Sequence, residues 1–544
     1  MPSAYHTFTS RSSAPGAAQN RHFSALFPAF GAARLAAGAL AVLAVLSGCG
    51  SNEKPGPVGL LFAPDFRGGL VTDEPRASLV GRDIIAAGGN AIDAAVAAYF
   101  TLSVTMPSAA GLGGGGVCLV HDADKNETVA FDFLPRPAKG GLVAIPGNVR
   151  GMAAINARYG ALPWAQLVAP AGKLASGGTA VSRALASEIA DAGTRLDEDP
   201  QMKAIFAKDD GSPLGESDHL LQVDLGATLE RVRVGGVNEF YSGLLAQKLS
   251  DAAQSIGAPL TIEDLRTTKT VAYKPLALPV GDQTLYAPAP PASGGVTALQ
   301  LVQALMSGAD HDAGAFAKAV NGLVADRDGW MKPGGDASQA PAALIDSGHV
   351  QSALGAKTPA AAHALDENPS ATGLVAIDNE GRGVACEFTM NAPFGSGRIA
   401  PGTGIILAPA PNAQGAGFSA LGPLMLANDY TGRLYFAAAA SGGVPGDIAK
   451  ARLFDAVRNQ EQPLDQAMQA GRLFADGAGT VYLEDAASGG KSAIAGAGMT
   501  VEATASLGRV NAAYCPRSTP SSPDTCQLRN DYRGNGLVTT VNQQ

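Results

Sequence analysis

Residues 107–122 read PSAAGLGGGGVCLVHD, and this glycine run constrains the chain more than any other stretch. Consecutive glycines at 113–116 suit a tight turn between a helix and a strand, where a side chain would block the backbone. The chain before the run reads as helix. Asp73 or Glu74 followed by Pro75 is a helix start, and ASLVGRDIIAAGGNAIDAAVAAYFTLSVT (77–105) keeps helical periodicity except at Gly88-Gly89. That pattern predicts two helices joined at the glycine pair. After the run the chain reads as strand, continued by a second strand in TVAFDFLPRP (128–137). The run lacks the Gly-Lys-Ser/Thr ending of a phosphate-binding loop, so the glycines alone identify no ligand.

Ala-rich helical stretches dominate 146–330, with turns at Tyr159-Gly160, Ser176-Gly177-Gly178 and Gly243. TLYAPAPPASGGV (284–296) reads as strand, extended proline loop and another glycine turn. From 371 to 440 strand patterns alternate with turns (TGLVAID, GVACEFTM, GIILAP, GPLMLAND, RLYFAAAA), and the helix AKARLFDAVRN precedes short C-terminal strands. A helical region, a strand-rich region and an early glycine-led hairpin predict layered α+β packing in one large body, with no internal repeat. The 544 residues are 46% hydrophobic and only 16% charged, a globular profile with ample core. No Lys/Arg cluster with interleaved aromatics is present, which argues against nucleic acid. The scattered histidines give no metal-ligand spacing, so neither metal nor cofactor is expected.

Residues 1–48 carry Arg11, Arg21 and Arg34 but no Asp, Glu or Lys, and the apolar run LAAGALAVLAVLSGCG (35–50) is too short to span a membrane. An export signal is the reading, and Leu46-Ser47-Gly48-Cys49 has the form of a bacterial lipobox. Cys49 would then be the acylated first residue of the mature chain; the bland alternative is an ordinary secretory signal with a coincidental Cys. Gly50 after the Cys fits sorting to the outer membrane, with the protein facing the periplasm or the cell surface. Residues 49–60 read as a flexible tether. Removing three arginines takes the formal charge from −9 to −12, so attachment to an anionic membrane would rest on the acyl chains. Cys118 and Cys386 lie in apolar strand-like runs and read as separate buried small residues. Cys515 and Cys526 flank PRSTPSSPDT and read as a disulfide in an oxidising compartment.

GGNAIDAAVAA, MPSAAGLGGGGVCLV and FDF together resemble the N-terminal signature of the gamma-glutamyltransferase family. The resemblance continues through IPGNVRGMAAINARYGALPWAQLVAPAGKLASGG (145–178), EFYSGLLAQKL (239–249), LTIEDLRTTKTVAYKPL (260–276), PPASGG (290–295) and ADRDGWM (325–331). Residues 371–448 resemble the family's small subunit, which divides the mature chain into a large-subunit-like region (61–370) and a small-subunit-like region (371–544). The resemblance implies a four-layer αββα sandwich of the N-terminal-nucleophile hydrolase type. It also implies a precursor that cuts itself before a Thr, whose freed α-amine then serves as base beside its own hydroxyl. The ligand would be a small γ-glutamyl or peptide-like molecule such as glutathione.

The family pattern is Thr-Thr-His, a short strand ending in Asp, a glycine turn, then Thr-x-Asn. Counted back from Thr389-Met390-Asn391 and Asp378, the nucleophile position falls on Ala371, the second Thr on Thr372 and the His on Gly373. Ala has no hydroxyl. Thr372 would serve only if a bulge at Gly373 shifted the strand by one residue, and Ser370 is the other hydroxyl in reach. Both also read simply as loop residues beside a proline. The Arg that grips the substrate α-carboxylate falls on Leu134, with Arg136 two positions along as a stand-in. The acid for the substrate α-amine falls on Ala413, and of the family's Ser-Ser pair Ser419 remains, followed by Ala420. Gly442-Gly443 match the glycines that supply the oxyanion N–H groups. Thr389 and Asn391 are retained. The expectation is a family member whose γ-glutamyl transfer or hydrolysis is impaired; the alternative is a pseudoenzyme that binds a peptide or partner at the outer membrane.

Overall fold

Glu74 fixes the start of the first helix: its carboxylate accepts the Ala77 N–H at 3.0 Å while Pro75 fills the first turn. This helix, α1 (Pro75–Ala86), stops at the glycine pair. The next, α2 (Ala91–Thr105), restarts at Asn90, where Asn90 and Asp93 cap each other reciprocally. The break expected at Gly88-Gly89 is therefore present. The computed structural model describes residues 65–542 apart from 310–311, 333, 356–361, 364, 366–369 and 412–417. The expected signal sequence (1–48), Cys49, the expected tether (49–60) and Ala413 lie outside the described residues.

In chain order the strands of the large sheets begin with β1 (Phe66–Thr72), β2 (Gly115–Asp122), β3 (Glu127–Phe133) and β4 (Val271–Tyr273). β5 (Leu276–Val280), β6 (Gln283–Ala287), β7 (Ala371–Asp378), β8 (Gly383–Thr389) and β9 (Leu424–Asn428) follow. The last are β10 (Arg433–Ser441), β11 (Arg509–Thr519), β12 (Gln527–Arg529) and β13 (Leu537–Asn542). One sheet has the order β13-β1-β7-β8-β2-β3-β4 and the other β12-β11-β10-β9-β6-β5. Every neighbouring pair in both is antiparallel.

The side-chain alternation of the strands separates the layers. Leu374 and Ala376 of β7 pack with α1, α2 and the helices of 148–253. Val375 and Ile377, on the opposite face of the same strand, meet Met425, Ala437 and Ala439 of the second sheet. Leu424, Leu426, Ala438 and Ala440 face a third core with the helices Gly294–Met306, Ala313–Trp330 and α3 (Gly443–Arg458). Helix, sheet, sheet, helix is the αββα sandwich expected from the sequence. β7 and β8 sit between β1 and β2, so strands from either side of residue 370 interleave in the first sheet.

One expectation is corrected here. Cys118 and Cys386 are buried, as read, but they are bonded to each other: β2 and β8 pair with Cys386 directly opposite Cys118. Two cysteines 268 residues apart become neighbours only through the sheet. The Cys515–Cys526 disulfide is present as expected.

Candidate active site

The β7–β8 ladder fixes the register of this stretch. Pairing runs without a register shift from Ile377↔Gly383 to Ala371↔Thr389. No bulge forms at Gly373, and Thr372 is not slid into the first position. Ala371 is 2% exposed and sits in an apolar cluster with Val117, Leu134, Ala292, Phe418 and Leu421. At the position where the resemblance leads to the expectation of a hydroxyl, Ala371 presents a methyl group packed against hydrocarbon.

The two alternative hydroxyls are engaged elsewhere. Thr372 Oγ1 donates to Asp73 Oδ2 at 2.9 Å, and Ser370 Oγ donates to the Ser108 carbonyl at 2.7 Å; both residues are buried. Thr389 Oγ1 accepts the Asn391 N–H at 2.9 Å. Asn391 holds a left-handed backbone (φ 60°), which Asn tolerates better than most residues. Its Nδ2 donates to the carbonyls of Pro409 (3.0 Å) and Pro135 (3.3 Å), while Oδ1 is buried without a hydrogen-bond partner. The glycine run explains how β2 reaches this corner. A Cβ on Gly113 would lie 2.1 Å from the Ile406 carbonyl oxygen, and one on Gly114 would lie 2.3 Å from that of Thr389.

Of the expected binding groups, Leu134 joins the Ala371 cluster and Arg136 does not. β3 ends at Phe133, and a tight turn in which Arg136 N donates to the Leu134 carbonyl takes the side chain off the strand face. Arg136 Nη2 sits 2.6 Å from Asp132 Oδ2, with the guanidinium half exposed. Burial pushes the Asp132 carboxyl up from its ordinary range, and Arg136 works against that push. Ser419 is half-buried on the turn between Phe418 and Leu421. β10 passes under Gly383 at Leu434 and under Gly373 at Ala439, so it runs toward the Ala371 end of the sandwich. There it delivers Gly442 (φ 91°) and Gly443 (φ 67°) to the start of α3.

Two buried polar groupings escaped the sequence reading. Asp73 gathers Thr372, the Gly373 N–H (3.2 Å) and Asn511 Nδ2 (2.8 Å). Arg509 lies beside it, bonded to Ser441 Oγ at 3.0 Å and to Glu188 at 3.3 Å. Second, Glu387 projects from β8 on the same face as Thr389 and meets Lys450 Nζ at 2.5 Å, with Asp447 Oδ1 at 2.9 Å from the same ammonium. Burial pushes Asp447 up to about 7; Lys450 opposes the shift and Glu387 adds to it. The signal for this second group was a lone carboxylate inside the apolar run GVACEFTM.

Fold and site together define an αββα sandwich of the N-terminal-nucleophile hydrolase type whose strand β7 begins at Ala371. The chain belongs to the gamma-glutamyltranspeptidase family, whose model matches residues 77–540. It is 31% identical to the glutathione hydrolase proenzyme of Escherichia coli K12 over 382 residues, covering 63% of this chain and 66% of that protein. Identity to the glutathione hydrolase proenzyme of Bacillus subtilis 168 is 33% over 261 residues, 44% of each chain. The chain thus spans less than two thirds of the length of either hydrolase. The acylase ACY 1 proenzyme of Pseudomonas sp. strain V22 is 29% identical over 488 residues, 78% of this chain and 85% of that one. The crystal structure of a cephalosporin acylase from Bacillus halodurans superposes with a TM-score of 0.76 at 19% identity, covering 91% and 99% of the two chains, a likeness of fold.

Proposed function

We propose that this protein is an exported lipoprotein of the gamma-glutamyltranspeptidase family that stays one uncut chain. In this reading it has lost γ-glutamyl transfer and hydrolysis at the family's position, and it keeps the scaffold to bind a small peptide-like ligand or a partner at the outer membrane. The observation that carries it is Ala371, opposite Thr389 in an unshifted ladder and packed against Leu134 and Phe418. A methyl group cannot attack a carbonyl, and a zwitterionic glutamyl group placed against hydrocarbon would lose its hydration without replacement. The lipobox at Cys49 and two disulfides support export to an oxidising compartment.

A second reading rests on Thr372, whose hydroxyl is within hydrogen-bond reach of the Asp73 carboxylate. It makes the protein an amidase or acylase that cuts itself one residue late. One experiment separates the two. The mature chain without Cys49 is incubated and run on a reducing denaturing gel, since the Cys118–Cys386 bond would hold cut halves together without reductant. A single persistent band is expected. Two fragments split near 370–372 would overturn the proposal, and N-terminal sequencing would then assign Ser370 or Thr372. Separately, Cys49→Ser should abolish labelled fatty-acid incorporation and release the protein from the membrane fraction; retention of both would sink the lipoprotein assignment.

A further inference from the structure

We propose that Lys450 and Glu387 condense to an intramolecular amide, a covalent cross-link made by the protein itself between β8 and α3. All three members of the group are sealed from solvent, with side-chain exposures of 0% for Lys450 and 1% for both Glu387 and Asp447. Lys450 Nζ lies 2.5 Å from Glu387 Oε1 and also donates to the Gly422 carbonyl at 2.7 Å. The Glu387 carboxyl is clamped by two backbone donors, Gly422 N–H to Oε2 (2.6 Å) and Ala440 N–H to Oε1 (2.7 Å). Such donors hold the carboxyl still and stabilise negative charge on an oxygen during attack at the carbon. Amine and carboxyl carbon are thus held close enough to react in a site without bulk water to reverse the step.

The step balances without any outside reagent. Lys450 begins as an ammonium and Glu387 as a carboxylate. Asp447, 2.9 Å from Nζ, takes a proton and frees the amine lone pair. Nζ attacks Glu387 Cδ and the N–C bond forms, with charge gathering on Oε2 under the Gly422 N–H. The Cδ–Oε1 bond then breaks as Oε1 receives two protons, both originally on Nζ and relayed through Asp447, and leaves as water. One hydrogen stays on the amide nitrogen. Burial pushes the Asp447 carboxyl up, toward the range in which it can accept a proton. Burial works the other way on Lys450, but Glu387 and Asp447 outweigh it and hold the ammonium, so this first transfer is the uphill step of the sequence. Condensation also removes one buried ion pair, whose desolvation the fold otherwise has to offset.

The link would tie β8, two residues before Thr389, to the helix that follows Gly442-Gly443. It would thereby fix the Gly422 turn that presents Leu421 to Ala371. The test is a digest of the full-length protein, denatured, reduced and treated with trypsin. The expected product is a branched peptide joining 383–398 to 434–452, lighter than its parts by one water and uncut after Lys450. Recovery of linear 383–398 and 434–450 as the main products would overturn the proposal, whatever any variant does. Lys450→Arg should give no branched peptide. Asp447→Asn should yield folded protein with the linear peptides only; a fully formed link in that variant would overturn the relay assigned to Asp447.

Discussion

Replacing both Cys118 and Cys386 with alanine tests how the first sheet is held together. The bond closes a loop of 268 residues, and Cys515–Cys526 closes one of 11. Loop-closure entropy of the unfolded chain makes the long cross-link worth about 5–6 kcal/mol and the short one about 3 kcal/mol. With an unfolding entropy of about 2.1 cal/mol/K per residue over roughly 480 residues, each kcal/mol moves the melting temperature by about 1 °C. Cys118→Ala/Cys386→Ala should therefore melt about 5 °C lower than wild type and Cys515→Ala/Cys526→Ala about 3 °C lower. All four cysteines are buried, so the sulfur lost adds about 1 kcal/mol to both figures and leaves their difference unchanged. Differential scanning calorimetry of the three proteins, without reductant and at matched pH, makes the comparison. If the long-range variant melts no lower than the short-range one, the assignment of Cys118–Cys386 as the stronger clamp is wrong.

Three further outcomes follow from the geometry. Burial pushes Asp378 up to about 6 from its ordinary 3.8. The folded chain therefore keeps this proton to higher pH than the unfolded chain, and stability should fall as pH rises from about 4 to about 6; Asp378→Asn should flatten that part of a melting-temperature profile, and an unchanged slope would contradict the assignment. Thr372→Ala removes one donor from Asp73 and should cost about 1–2 kcal/mol in denaturant titration while leaving the gel pattern a single band. Asn391→Ala forfeits two hydrogen bonds and places Ala at φ 60°. It should destabilise by about 2–3 kcal/mol, and a melt indistinguishable from wild type would show that the strained corner contributes nothing.

Local signals carried much of this protein. Glu74-Pro75, the Gly88-Gly89 break and the glycine run are short-range stereochemistry, and the structure has helices and strands where they place them. The alternation in 371–389 signals a hairpin, and counting back from Thr389 and Asp378 reaches Ala371; that Ala371 lies opposite Thr389 comes from the ladder. Partners brought together by folding were not legible. Cys118 and Cys386 each look like inert core until β2 and β8 lie side by side. Arg136 reads as a stand-in for the absent family Arg at Leu134, because period-two counting assumes the strand continues; the chain turns after Phe133 and the guanidinium closes on Asp132. Glu387, Asp447 and Lys450 come from a strand and a distant helix, and only the packing of the two sheets makes them one buried group. Sequence alone determined the family scaffold and the alanine that heads β7, because both are written in neighbouring residues. The tertiary structure decided what fills the vacated position and which charges meet behind it, because burial and long-range pairing are properties of the folded chain.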